Sequence, residues 1–204
     1  TNTNEGYIST LNSWMSKTYS HRNFAVGGGT NISDFKINLN ASYNQGNRSQ
    51  HKLVDYNGIS NSMIDSSANS SAFVDFSASY KGLKLQTITD SYTIEQTDLW
   101  GTNFTHYPIP EKFNTQICHL EYAAKFNIVK ITPWIQYKQQ KPFNVNIPEE
   151  SYSNDKSIQK WSGGMNTDIS IGDNIFIASG ISMYNNRLYM PPLAVRTSYE
   201  GYYK

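Results

Sequence analysis

Hydrophobic and polar residues alternate with a period of two along much of the chain. Phe35, Ile37, Leu39, Ala41 and Tyr43 share one side of a run whose other side is Lys36, Asn38, Asn40 and Ser42. Successive side chains of a strand point to opposite faces, so this is a strand with one apolar and one polar face. Ala72, Val74, Phe76, Ala78 and Tyr80 alternate in the same way with Asp75, Ser77 and Ser79. Leu120, Tyr122, Ala124 and Phe126 alternate with His119, Glu121 and Lys125. Val129, Ile131, Pro133, Ile135 and Tyr137 alternate with Lys130, Thr132, Trp134 and Gln136. Met165, Thr167, Ile169 and Ile171 face away from Asn166, Asp168 and Ser170, while in IFIASGISMY both sides are apolar and no side can be assigned.

The strands come in pairs. Tight turns are expected at Ser33-Asp34, Lys81-Gly82, Asn127-Ile128 and Gly172–Asn174, each short enough for a hairpin. Between the pairs lie 44–71, 93–116 and 138–160, connectors rich in Asn, Ser, Gln, Pro and Tyr. Several structureless loops of that length are foreign to compact soluble domains. Short turns at one end and long loops at the other are the habit of outer-membrane barrels, whose strands need about nine to eleven residues to cross the lipid. Tyr80 and Phe126 beside the turns, and Tyr43, Tyr92, Tyr137 and Tyr184 beside the loops, suit two interfacial aromatic girdles.

The expected fold is therefore all-β: an antiparallel transmembrane β-barrel, or a segment of one, with about 8–10 strands, residues 1–204 forming a single unit. Eight strands are counted without Tyr7–Met15 and Leu193–Tyr203, and ten with both. The alternative is a soluble β-sandwich of the carbohydrate-binding kind.

Composition narrows the partners. Charged residues make up 16% of 204 and the formal net charge is +1, with no Lys/Arg cluster, so no nucleic-acid partner is expected. Cys118 is the sole cysteine, which rules out an internal disulfide and a cysteine-based zinc site. No apolar run is long enough for a membrane helix, which leaves strand spanning open. The chain shows no signal peptide, plug or energy-coupling segment at its start.

The stretches FVDFSASYKGLKLQTITDSYT, CHLEYAAKFNIVKITPWIQYKQQKPF and GGMNTDISIGDNIFIASGISMYNN resemble the barrel of TonB-dependent outer-membrane receptors. The resemblance covers roughly residues 20–190. It implies a bacterial outer-membrane receptor importing a scarce nutrient, such as a metal chelate, haem, cobalamin or a glycan. Energy would come from a TonB-type partner acting through a part of the receptor outside this chain. The ending YEGYYK lacks the terminal aromatic of a closed bacterial barrel, so part of a larger barrel is expected ahead of a small porin- or adhesin-like one.

Candidate chemistry is sparse. The polar halves of the strands place Asp75, Glu121, Lys130 and Asp168 toward a lumen, with Val74, Phe76, Leu120, Tyr122, Ile131, Ile135 and Ile169 toward lipid. Of the histidines, His21, His51 and His106 fall in expected loops, and none has metal-ligand spacing. Trp100, Phe104, His106 and Tyr107 form the densest aromatic loop cluster and are the expected cargo contacts. Gly27-Gly28-Gly29 lacks the Lys-Ser/Thr ending of a phosphate loop. No catalytic pair, metal site or cofactor is expected, and the chain is read as a non-enzyme.

Overall fold

The computed structural model describes residues 3–54, 57–64, 66–96, 108–147, 152–172 and 174–190. Thirteen strands form among these residues: β1 (Thr3–Trp14), β2 (Tyr19–Ile32), β3 (Phe35–Asn47), β4 (Lys52–Val54), β5 (Ser60–Ser62), β6 (Ala68–Tyr80) and β7 (Leu83–Gln96). They continue with β8 (Ile109–Tyr122), β9 (Ala124–Phe126), β10 (Val129–Ile147), β11 (Tyr152–Asn154), β12 (Ser157–Ile171) and β13 (Ile175–Tyr189). Eleven of them make one antiparallel sheet with the path β1-β2-β3-β6-β7-β8-β10-β12-β13, and β9 and β11 both pair with β10. β4 and β5 form a separate two-stranded hairpin.

Every step along the path is to the next long strand in sequence. The four expected tight turns all lie at one end, because Phe35 pairs with Tyr80, Leu83 with Tyr122, and Val129 with both Phe126 and Ile169. The turn chemistry has a local cause. Lys81 and Gly82 take φ of 45° and 88°, positive at both central positions as the twist of a two-residue hairpin demands. Ser33 (φ 55°) and Asn127 (φ 49°) supply the first central position of their turns.

The connectors are shorter than the sequence pattern suggests. β3 runs on to Asn47, β7 to Gln96 and β10 to Ile147, so much of 138–160 is strand, with β11 closing back on β10. His21, expected in a loop, pairs with Gly46 within β2 and β3. Tyr7–Met15 falls on β1 except for Met15, and β1 reaches back to Thr3, whereas 193–203 lies outside the described residues.

Pro133 leaves a mark on the sheet. The register that sets Glu121 against Trp134 also sets Ala124 against Ile131, yet the ladder is interrupted between them, dividing β8 from β9. Proline has no N–H to donate at that step. The Ala123 amide instead donates to the Gly82 carbonyl at 2.8 Å.

The sheet is open rather than closed into a barrel: β1 pairs only with β2, and β13 only with β12, among the described residues. Nine alternating strands leave β1 and β13 running in the same direction. The only buried apolar residues described are Met63, Ile109 and Val145. No helix of the described residues is long and apolar enough to cross a membrane.

Candidate functional site: the polar face of the sheet

Register sorts the side chains into two faces. Ile37–Ala78–Leu85–Leu120–Ile135 is one continuous cross-strand row, and Asn38–Ser77–Gln86–His119–Gln136 is the row behind it. The expected lipid-facing set therefore shares one face, and Asp75, Glu121, Lys130 and Asp168 share the other. β13 is assigned by pairing as well: Ile177 and Ile181 oppose Ile169 and Met165 on the apolar face, and Ala178 and Gly180 oppose Asp168 and Asn166 on the polar face.

Along β8 exposure runs opposite to that of a water-soluble sheet. On β8 the apolar-face residues Cys118, Leu120 and Tyr122 are exposed, while Ile117, His119 and Glu121 on the polar face are half-buried. Ile181 is 69% exposed and Ile8 74%. Across β8 and the facing part of β10 the polar face is the more crowded side. Two grooves, of about 550 and 470 Å³, open on it.

These grooves collect three of the four expected polar residues. Lys130 Nζ lies 3.7 Å from Asp168 Oδ2, and both line the larger groove with Glu121, Thr132 and Asn166. Glu121 sits between Lys84 Nζ at 3.7 Å and His119 Nε2 at 3.1 Å. Asp75 stands apart on β6, where the Gln86 side-chain amide donates to it at 3.0 Å. These ion pairs are half-exposed and contribute little stability; their effect is to neutralise the wall locally.

Sequence reasoning passed over His119 and Trp134 as a pair. Their rings stack with centroids 5.9 Å apart, and both line the second groove beside Gln136 and Asn166. The side chains of Gln136 and Asn166 make no hydrogen bond among the described residues. The sequence signal was present, since Trp134 and Gln136, like His119 and Glu121, are two residues apart on one face; only the register joins the strands.

At the loop end of the same face, Tyr92, Phe113 and Phe143 form a chain of ring contacts at 5.8 and 4.8 Å. Tyr92 and Tyr184, expected in an outer girdle, are on this polar face instead. The apolar face carries Phe35, Tyr80, Tyr122 and Phe126 at the turn end and Phe24, Tyr43, Tyr137 and Trp161 toward the loops. Phe35–Tyr43, Val129–Tyr137 and Ile169–Trp161 are each eight residues apart. Eight residues rise about 27 Å, and a strand tilt of about 40° reduces that to about 21 Å, near the apolar band of about 25 Å in membrane barrels.

Trp100, Phe104, His106 and Tyr107 lie outside the described residues. Among the described residues no three of His, Cys, Asp and Glu converge as metal ligands. The grooves are open and polar, suited to contact with a solute. No family model matches the chain, and no curated protein or solved structure matches it either.

Proposed function

We propose that this chain is wall of a bacterial outer-membrane β-barrel that acts as a receptor for a scarce nutrient. The observation that carries the reading is the exposure pattern across β8 and β10: Leu120, Tyr122 and Ile135 stand open on the apolar face, while His119, Glu121, Trp134 and Gln136 behind them are half-buried. Lipid is the solvent that stabilises such an arrangement, since it covers the apolar face while the polar face lines an aqueous lumen.

The free edges favour a segment over a complete small barrel. A ring made from the nine path strands alone would close on a parallel seam between β1 and β13. An all-antiparallel ring needs an odd number of further strands, and bacterial barrels have even totals. A secreted carbohydrate-binding sandwich needs two sheets packed face to face, whereas the described residues hold one large sheet and a two-stranded hairpin. Cargo of the chelate, haem, cobalamin or glycan kind would enter from the loop end, where Trp100, Phe104, His106 and Tyr107 are the nominated contacts. Import would draw energy from a TonB-type partner. No catalytic role belongs to this reading.

The test uses two of the four tryptophans. Trp161 lies on the apolar face and Trp134 on the polar face. In vesicles, a variant retaining Trp161 alone should be quenched by brominated acyl chains, and one retaining Trp134 alone by aqueous iodide. The reverse pattern, or a chain that stays in solution without lipid, would overturn the membrane reading.

A further inference from the structure

The charges that line the two grooves are paired. Lys130 has Asp168, and Glu121 has Lys84 and His119. Further along the same face toward the loops, Lys138 on β10 and Lys160 on β12 are direct cross-strand partners. Like charges set opposite each other destabilise a sheet, and both lysines are half-buried, which limits screening by water. Neither forms an ion pair among the described residues; Lys160 Nζ lies 4.9 Å from the centre of the Tyr184 ring.

Neighbouring carboxylates do not resolve the conflict. Glu121 and Asp168 are already engaged. Asp90 lies on β7, two strands from Lys138, and Glu111 receives a hydrogen bond from Gln96 near the far end of β8. The contrast with Lys125 and Lys130 is instructive. They also face each other, but Asp168 stands on the other side of Lys130 and supplies the counter-charge.

We infer that Lys138 and Lys160 form an oxyanion-binding subsite, taking a phosphate or carboxylate group of a solute between the two ammonium groups. The surroundings supply further donors. Gln136 and Ser162 are the adjacent cross-strand pair on that face, and Asn186 is the partner of Lys160 on β13. Two ammonium groups and neutral amides suit a multiply charged oxyanion better than a halide, because each oxygen can accept a separate charge-assisted bond. The Trp134–His119 stack lies four residues down β10, so an anion held by the lysines would place the rest of its molecule against an aromatic wall. The inference rests on the reading that this face meets water.

The full chain, refolded in detergent micelles, is titrated with inorganic phosphate and with citrate, against chloride at matched ionic strength. Thermal unfolding and calorimetric binding are followed. At least one of the two oxyanions should stabilise the parent chain where chloride does not, and their ranking separates a phosphate site from a carboxylate site. Lys138→Gln and Lys160→Gln should each weaken that binding roughly tenfold or more, the loss of one charge-assisted hydrogen bond, while Lys160→Arg retains it. Lys138→Glu puts a carboxylate opposite Lys160, and it should raise the anion-free unfolding temperature and abolish the response to anions. Equal responses to chloride and oxyanion, or an undiminished response in the Gln and Glu variants, would overturn the subsite. Tryptophan quenching in vesicles reports separately on the membrane reading, so failure of one is distinguishable from failure of the other.

Discussion

Tyr7 lies flat across Gly27. The ring of this β1 residue occupies the space where a side chain on β2 would stand: a Cβ at Gly27 would come within 2.7 Å of the Tyr7 Cζ. The Tyr7 hydroxyl donates on to Asn40 Oδ1 on β3 at 3.3 Å, so one side chain ties three strands together. Glycine is required by this close approach, and covering it with an aromatic ring restores the contact that a bare glycine lacks.

Replacing Gly27 by Ala should therefore expel the Tyr7 ring and cost about 1–3 kcal/mol through overpacking. Tyr7→Ala alone should loosen β1, and in the double variant the two losses should not add, because removing the ring relieves its part of the clash and leaves only the Asn40 side-chain oxygen, 2.5 Å from the new Cβ, to turn aside. Urea unfolding in micelles measures all three. Strict additivity would mean that ring and glycine do not depend on each other.

Leu39 and Phe76 are cross-strand partners at the middle of the apolar face, with Asn38 and Ser77 directly behind them. Arg at Leu39 or Phe76 should cost about 2–4 kcal/mol in a bilayer, the penalty for a cation at the midplane. Arg at Asn38 or Ser77 should be close to neutral. A slip of one residue would exchange the two outcomes, so vesicle folding yields of the four variants test register and environment together. Equal tolerance at all four positions would point to water on both sides.

Much of this architecture is legible in the sequence because it depends on local facts. A period of two fixes which side chains share a face, and Lys81-Gly82 can be recognised from the backbone its turn needs. Strand ends are harder to read. In 44–47 and 139–141 both faces are polar, so alternation fades, yet backbone pairing continues without it. The same limit applied to IFIASGISMY, whose faces were assigned only by pairing with β12. Glu121, Lys130 and Asp168 could be nominated from single strands, while the His119–Trp134 stack and the facing lysines depend on register between strands. The openness of the sheet has no signature in any one strand.

Glu111 gives a pH prediction. It lies beyond the apolar band, near the loop end of β8, and is 8% exposed. Burial raises its carboxyl pKa above the ordinary value of 4.5, and the Gln96 amide donates to it at 2.7 Å. A raised carboxyl pKa means that the folded chain holds the proton more tightly than the unfolded chain. The contribution is thus favourable at low pH and is lost as pH rises from the ordinary value through the raised one. Glu111→Gln keeps the hydrogen-bonding shape without the charge, so it should stabilise the chain at neutral pH and flatten that part of the pH profile. A variant less stable than the parent at pH 7, with an unchanged profile, would show that the ionised carboxylate is favourable where it stands.

Pro133 offers the last test, because its effect on the sheet is confined to one rung. The gap between β8 and β9 coincides with the missing N–H, and the strands on either side keep the same register. Pro133→Val restores a donor and suits an exposed position on the apolar face of a strand. β8 should then run without a break into β9, with slowed hydrogen exchange at residue 133 and its β8 neighbours and a gain of about 0.5–1.5 kcal/mol from one added hydrogen bond. The bond from Ala123 to Gly82 competes with that outcome, since it draws the β8 backbone toward the Lys81-Gly82 turn. If exchange at residue 133 stays fast and stability does not rise, the gap is held by that turn contact, and proline fills a break that the turn had already made.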